Sequence, residues 1–198
     1  MKRKYSKFSI REALELIPAE TVQAWEVQLQ PRQPSDILIA VLDRLESFDL
    51  RTSEAGKTML IDALLAEVIP EHPNLFVWRS APLSTDTLTG FADYLIAPKR
   101  AYAATPLLCI VEAKRDDFEY GMAQCIAEMC ACAWQNRKAG LEIDVYGIVS
   151  NGQGWRFYKL TSSGEIYETS LYTTTFLPEL LAYLSHIFDI CARAVPAK

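Results

Sequence analysis

The sequence predicts an α/β fold, and three observations carry that reading. A stretch with helical apolar spacing over 53–69 is followed by three extended runs, over 75–83, 88–97 and 107–114. A long apolar helix over 119–136 comes next, and further extended runs and a last helix complete the chain. Apolar residues that switch between helical and extended spacing in this order mark a mixed domain.

Taken in order, residues 1–50 read as an N-terminal helical extension and 51–198 as the main domain. Ser9-Ile10-Arg11-Glu12 fits a capping box, and the short helix it opens runs to Pro18. Prolines break the chain between Gln30 and Pro34, and Ser35 with Asp36 caps a second helix, DILIAVLDRLESF. The helix over 53–69 is expected to bury Met59, Leu60, Ala63, Leu64 and Val68 and is stopped by Pro70. LFVWRSAPL, LTGFADYLIA and LLCIVEAK are the three core strands, with EYGMAQCIAEMCACAWQN as the helix behind them. DVYGIVSN, the turn Asn151-Gly152-Gln153-Gly154 and WRFYKL read as a hairpin. One extended run over 165–173 and a C-terminal helix over 176–192 finish the order.

With 198 residues, the chain suits one well-buried domain plus an extension. Half its residues are hydrophobic and 23% charged, the profile of a folded soluble protein. A net charge of −5 argues against a protein that coats nucleic acid nonspecifically. Lys99, Arg100, Lys114 and Arg115 could form a local basic surface, with Arg79, Arg156 and Lys159 on flanking strands. Three of the five cysteines (Cys125, Cys130 and Cys132) fall in one predicted helix and Cys109 in a core strand, which suits small apolar packing in a reducing compartment. His72 and His186 stand apart from any nucleophile and from metal-ligand spacing. The opening MKRKYSKFSI has no apolar stretch behind its charges, and no segment has the apolar length of a membrane span; a cytoplasmic protein is expected.

The chemistry concentrates in Glu112-Ala113-Lys114, at the end of the most apolar run. Side chains alternate along a strand, so Glu112 and Lys114 project to one side, about 7 Å apart. Asp93 sits in the preceding run, and pairing of the two strands would let Asp93 and Glu112 share a divalent cation. Hard carboxylate oxygens suit Mg²⁺, with Mn²⁺ as a substitute, and a lysine beside such an ion suits phosphodiester hydrolysis. On the following helix Gln124, Glu128 and Gln135 make a narrow polar stripe, which by periodicity alone is its wet side. Trp155, Phe157 and Tyr158 are assigned to the core rather than to stacking on bases.

This set resembles the PD-(D/E)xK nuclease superfamily, which has the restriction-endonuclease-like fold. The likeness spans roughly 52–172 and rests on Asp93, Glu112-Ala113-Lys114, Gln124 ten residues further on, and the run GIVSNGQGWRFYKL. The same hydrophobic strand, Asn-Gly turn and aromatic strand occur in nuclease domains of type I restriction enzymes. Ala92 stands where the family's Pro-Asp pair has proline. The resemblance implies a Mg²⁺-dependent nuclease acting on DNA, with Asp93, Glu112 and the carbonyl of Ala113 as metal ligands. It gives Lys114 the attacking water, Gln124 a supporting role, and the first core helix a further acid, here Glu54 in preference to Glu67. Glu54 equally suits a helix dipole. Cutting both strands of a duplex would call for a homodimer. The alternative is a module of the same fold that binds nucleic acid or protein without cutting.

Overall fold

A computed structural model describes residues 2–50, 53–113 and 118–196. Over the described residues the architecture is α/β: one nine-stranded sheet carries five α-helices on its two faces. The strands are β1 (Arg3–Lys4), β2 (Val22–Ala24), β3 (Leu75–Ser84), β4 (Leu88–Pro98), β5 (Cys109–Ala113), β6 (Val145–Ser150), β7 (Gly154–Leu160), β8 (Ile166–Glu168) and β9 (Tyr172–Thr173). The helices are α1 (Ile10–Leu14), α2 (Asp36–Leu45), α3 (Glu54–Val68), α4 (Phe118–Lys138) and α5 (Leu177–Ala194).

The frame is the run β4-β5-β6-β7-β8-β2. β3 pairs antiparallel with β4 along nearly its whole length, from Leu75↔Pro98 to Ser84↔Thr89. One edge of β4 is thereby occupied, and β1 and β5 divide the other. β1 takes Leu88 and Thr89, while β5 takes Tyr94, Leu95 and Ile96. β5 and β6 run parallel, joined by α4 as the crossover helix.

Two apolar layers sandwich the sheet. Ile110 of β5 packs with Ala123, Ile126, Ala127 and Met129 of α4, and Tyr5, Phe8 and Ala13 join that layer. Cys109, Val111 and Ala113 point the other way, into Ile61, Leu64, Leu65 and Val68 of α3 and Leu180, Leu184 and Ile187 of α5. Trp155, Phe157 and Tyr158 are all buried, and Phe157 stacks on Tyr183 with ring centres 4.7 Å apart. Cys109, Cys125, Cys132 and Cys191 are buried free thiols, and burial pushes each of them up from its ordinary range.

Several expectations need correction. The N-terminal stretch is not wholly helical: β1 and β2 from it join the sheet beside β4 and β8. Helix α1 ends at Leu14, although the expected capping box is present, with Ser9 and Glu12 engaging each other's backbone. α3 buries Leu60, Ile61, Leu64, Leu65 and Val68; Met59 and Ala63 are only half-buried. The run over 165–173 divides into β8 and β9, because Thr169 turns in to exchange hydrogen bonds with Phe157. Among the described residues no helix is long and apolar enough to cross a membrane.

Candidate functional site

The site lies where β4 and β5 part. Their last paired residues are Tyr94↔Val111, so the next step of the register sets Asp93 opposite Glu112. The ladder does not continue there. Instead, the backbone N–H of Ala113 donates to Asp93 Oδ2 at 2.9 Å, and the side chain takes over the work of a strand.

A change of face in the β3–β4 hairpin accompanies this fork. Ala92 packs on the α4 side, whereas Tyr94, two residues on, packs on the α3 side. Opposite, Ala81 and Leu83 belong to the α4 layer but Leu75 to the other. Ser80 between them has φ 48°, a left-handed backbone that costs a residue with a Cβ about 1–2 kcal/mol. The hairpin thus rolls over at Ser80 and Asp93, leaving Asp93 partly accessible at the turning point.

Glu112 is fully buried on the α4 side, by alternation with Ile110. There it meets Glu128, which is also fully buried. Burial first, and then the charge of Glu112, push the Glu128 carboxyl well above the usual carboxylate range, and Asp93 adds to the effect. Two carboxyl groups in contact in a dry interior need a shared proton or a cation between them. Gln124 donates from Nε2 to Glu128 Oε1 at 3.0 Å, and the glutamine is itself only 7% exposed. The stripe of Gln124 and Glu128 is therefore not the wet side of α4. The N-terminal segment and α1 cover that helix and enclose both side chains, and Gln135 is half-buried, donating to the carbonyl of Ser84.

Other expected residues fall differently. Lys114 and Arg115 lie outside the described residues, as does the side chain of Glu54, whose helix packs on the face opposite α4. Glu67 holds the start of α2, accepting from the backbone N–H and the hydroxyl of Ser35 at 2.9 and 2.7 Å. Arg79 pairs with Asp62 at 2.9 Å, and Tyr94 donates to the other oxygen of that carboxylate, which ties α3 to the hairpin beside Asp93. Lys159 pairs with Asp144 and Arg156 with Glu168, so neither belongs to a basic surface at the fork. Lys99 lies six residues beyond Asp93, about 20 Å along an extended chain, and lines a separate hollow with Arg100, Pro73 and Asn74.

Sequence reasoning placed Glu128 on a solvent-facing stripe and gave it no part in the site. One signal was available: between Glu119 and Arg137, it is the only charged residue of the helix. Among the described residues, no three His, Cys, Asp or Glu side chains converge tightly enough to form a metal cage. Mg²⁺ needs no such cage, since one or two carboxylates and several waters satisfy it. Asp93, Glu112 and the adjoining carbonyl of Ala113 supply the hard oxygen donors that such an ion takes, and two acids pressed together at Glu112 and Glu128 favour a nearby cation. By the chemistry of its oxygen donors the set suits such an ion. No family model matches the chain, and no curated protein matches it either.

Proposed function

We propose that the chain is a Mg²⁺-dependent nuclease of the PD-(D/E)xK type, with a restriction-endonuclease-like core, that hydrolyses DNA phosphodiesters. The observation that carries this reading is the fork itself: Asp93 and Glu112 stand at opposing positions where β4 and β5 separate, with Asp93 locked onto the backbone of Ala113. The bond to Ala113 accounts for one oxygen of Asp93, while burial of Glu112 against Glu128 is costly for packing alone and would be offset by a bound cation.

Asp93, Glu112 and the Ala113 carbonyl would hold the ion, which would neutralise phosphate charge and lower the pKa of a bound water. The Ala113–Asp93 hydrogen bond fixes one carboxylate oxygen and leaves Oδ1 for a ligand. Gln124 and Glu128 pack behind Glu112 and limit its rotamers. Lys114 follows directly on Ala113 and is assigned the attacking water and the developing negative charge. DNA is the proposed partner, and two copies of the chain would serve the two strands of a duplex.

Incubation of the purified chain with plasmid and short duplex DNA, with Mg²⁺ or Mn²⁺ and with EDTA, tests the reading. Metal-dependent cleavage that disappears in Lys114→Ala and Asp93→Asn, both folded by circular dichroism, is the expected result. Cleavage near the wild-type rate in either variant would overturn the assigned roles. A metal-dependent rise in melting temperature without cleavage of any nucleic acid would favour a binding module of the same fold.

A further inference from the structure

Resting on the nucleolytic reading above, we propose that the basic N-terminal segment, Lys2–Lys7, and the exposed ring of Phe91 form the face that holds the nucleic-acid strand beside the acids.

In a chain of net charge −5, Lys2, Arg3, Lys4 and Lys7 crowd into the first seven residues. All four are exposed. Arg3 is committed to Glu12 at 2.7 Å and to the ring of Phe8, whereas Lys2, Lys4 and Lys7 pair with no acid among the described residues. A loose basic tail would be ordinary solvated surface, but this segment is pinned. The Arg3 N–H donates to the Thr87 carbonyl at 2.8 Å, and the buried Tyr5 donates to the Leu83 carbonyl at 2.9 Å. Tyr120 of α4 donates to the Ser6 carbonyl, and Phe8 is buried in the core. Charges held in place this way lose little entropy when a polyanion arrives.

Their position matters as much as their number. β1 shares with β5 the edge of β4 that carries the fork, and Lys4 pairs with Thr89, four residues and about 13 Å along the strand from Asp93. Beside Lys4 and Thr89 opens a cavity of about 330 Å³ lined also by Ser6, Gly90, Phe91 and Gln124. Gln124 joins this cavity to the buried acids, since its amide nitrogen donates to Glu128 while its buried amide oxygen has no hydrogen-bond partner among the described residues. Phe91 is 65% exposed at the rim. Lysines suit phosphates, and a displayed aromatic ring suits the face of a base. An acidic protein would engage the lysines but gain little from the ring, so a nucleic-acid strand is the occupant that uses both.

The test measures binding of a fluorescein-labelled, mixed-sequence single-stranded oligonucleotide to the full chain by anisotropy, in EDTA and over a salt series. Lys4→Glu/Lys7→Glu is expected to weaken binding at least about tenfold and to flatten the salt dependence by about 1.4, the value for two lost single-strand phosphate contacts. Phe91→Ala, a surface change, is expected to weaken binding about fivefold or more with the salt dependence unchanged. Wild-type affinity in both variants overturns the proposal, as does a loss confined to Lys99→Glu/Arg100→Glu or to the lysine pair without Phe91. Cleavage with Mg²⁺, measured in parallel, separates the two readings. Wild-type cleavage with unaltered binding in the variants removes this face and leaves the nuclease. Binding that depends on Lys4, Lys7 and Phe91, without cleavage, keeps the face and removes the nuclease. Absence of any binding by the wild type removes the face.

Discussion

Gln124 and Glu128, one turn apart on α4, are joined by a 3.0 Å hydrogen bond from amide nitrogen to carboxyl oxygen, with both side chains shut away from water. In an isolated helix such a pair is a minor surface contact. Here it faces Glu112, and its energetics depend on pH.

Burial and the neighbouring charge of Glu112 raise the Glu128 carboxyl far above its ordinary 4.5. Below 4.5 the folded and unfolded chains both keep this proton, and the favourable contribution of the neutral acid is present in full. As pH climbs from there towards the raised folded value, the unfolded chain releases the proton first, and stability is lost at up to about 1.4 kcal/mol per pH unit. Glu128→Gln keeps the shape without the titration. Urea unfolding from pH 4.5 to 8 is expected to show the glutamine variant gaining on the wild type as pH rises; parallel profiles would refute the buried, proton-holding state.

Asp93 performs two jobs that different substitutions separate. Asparagine can still accept from the Ala113 N–H, so Asp93→Asn should keep metal-free stability near wild type. Alanine cannot, and Asp93→Ala should cost about 1–3 kcal/mol through the stranded amide. Both should abolish any rise in melting temperature caused by Mn²⁺. A full metal response in Asp93→Asn would remove this carboxylate from the metal site.

Asn136 near the end of α4 is the clamp on the approach to β5. Its side-chain oxygen accepts from the Leu107 N–H and its nitrogen donates to the Leu107 carbonyl, each at 2.8 Å, with the residue 1% exposed. Asn136→Ala leaves two buried backbone groups unpaired, and chemical denaturation should register a loss of roughly 2–4 kcal/mol. A loss under 1 kcal/mol would mean that water or backbone motion replaces both bonds.

Gly90 gives Tyr5 its space. A Cβ at this position would come 2.6 Å from the tyrosine ring, well inside contact distance. Gly90→Ala should cost about 1–3 kcal/mol by overpacking and speed hydrogen exchange at Arg3, whose amide bonds to Thr87. Unchanged exchange there would show that the ring can step aside.

Much of the central architecture was legible because burial leaves a plain trace. Asp93 and Glu112 stood out as acids inside apolar runs, and those runs do pair, with the two acids at opposing register positions. Glu128 was read as part of a wet stripe because helical periodicity describes one helix at a time. The cover over α4 comes from α1 and the segment before it, which lie more than a hundred residues earlier in the chain. β1 and β2 were equally hidden. Strands of two and three residues carry no alternation, and the neighbours that make them strands belong to β4 and β8. The roll of the β3–β4 hairpin had no signature either, since Ser80 adopts a backbone that serine seldom takes.

Because Arg3 and Lys4 find their partners only at Leu88 and Thr89, the opening residues leave the ribosome long before the strand that receives them. Arg3 and Lys4 must wait in solvent while the residues up to Leu88 and Thr89 are made, and β2 waits longer still for Ile166. Like charges at Lys2, Arg3 and Lys4 discourage that waiting segment from sticking to other nascent chains, so the same cations that line one side of the fold also guard its late closure.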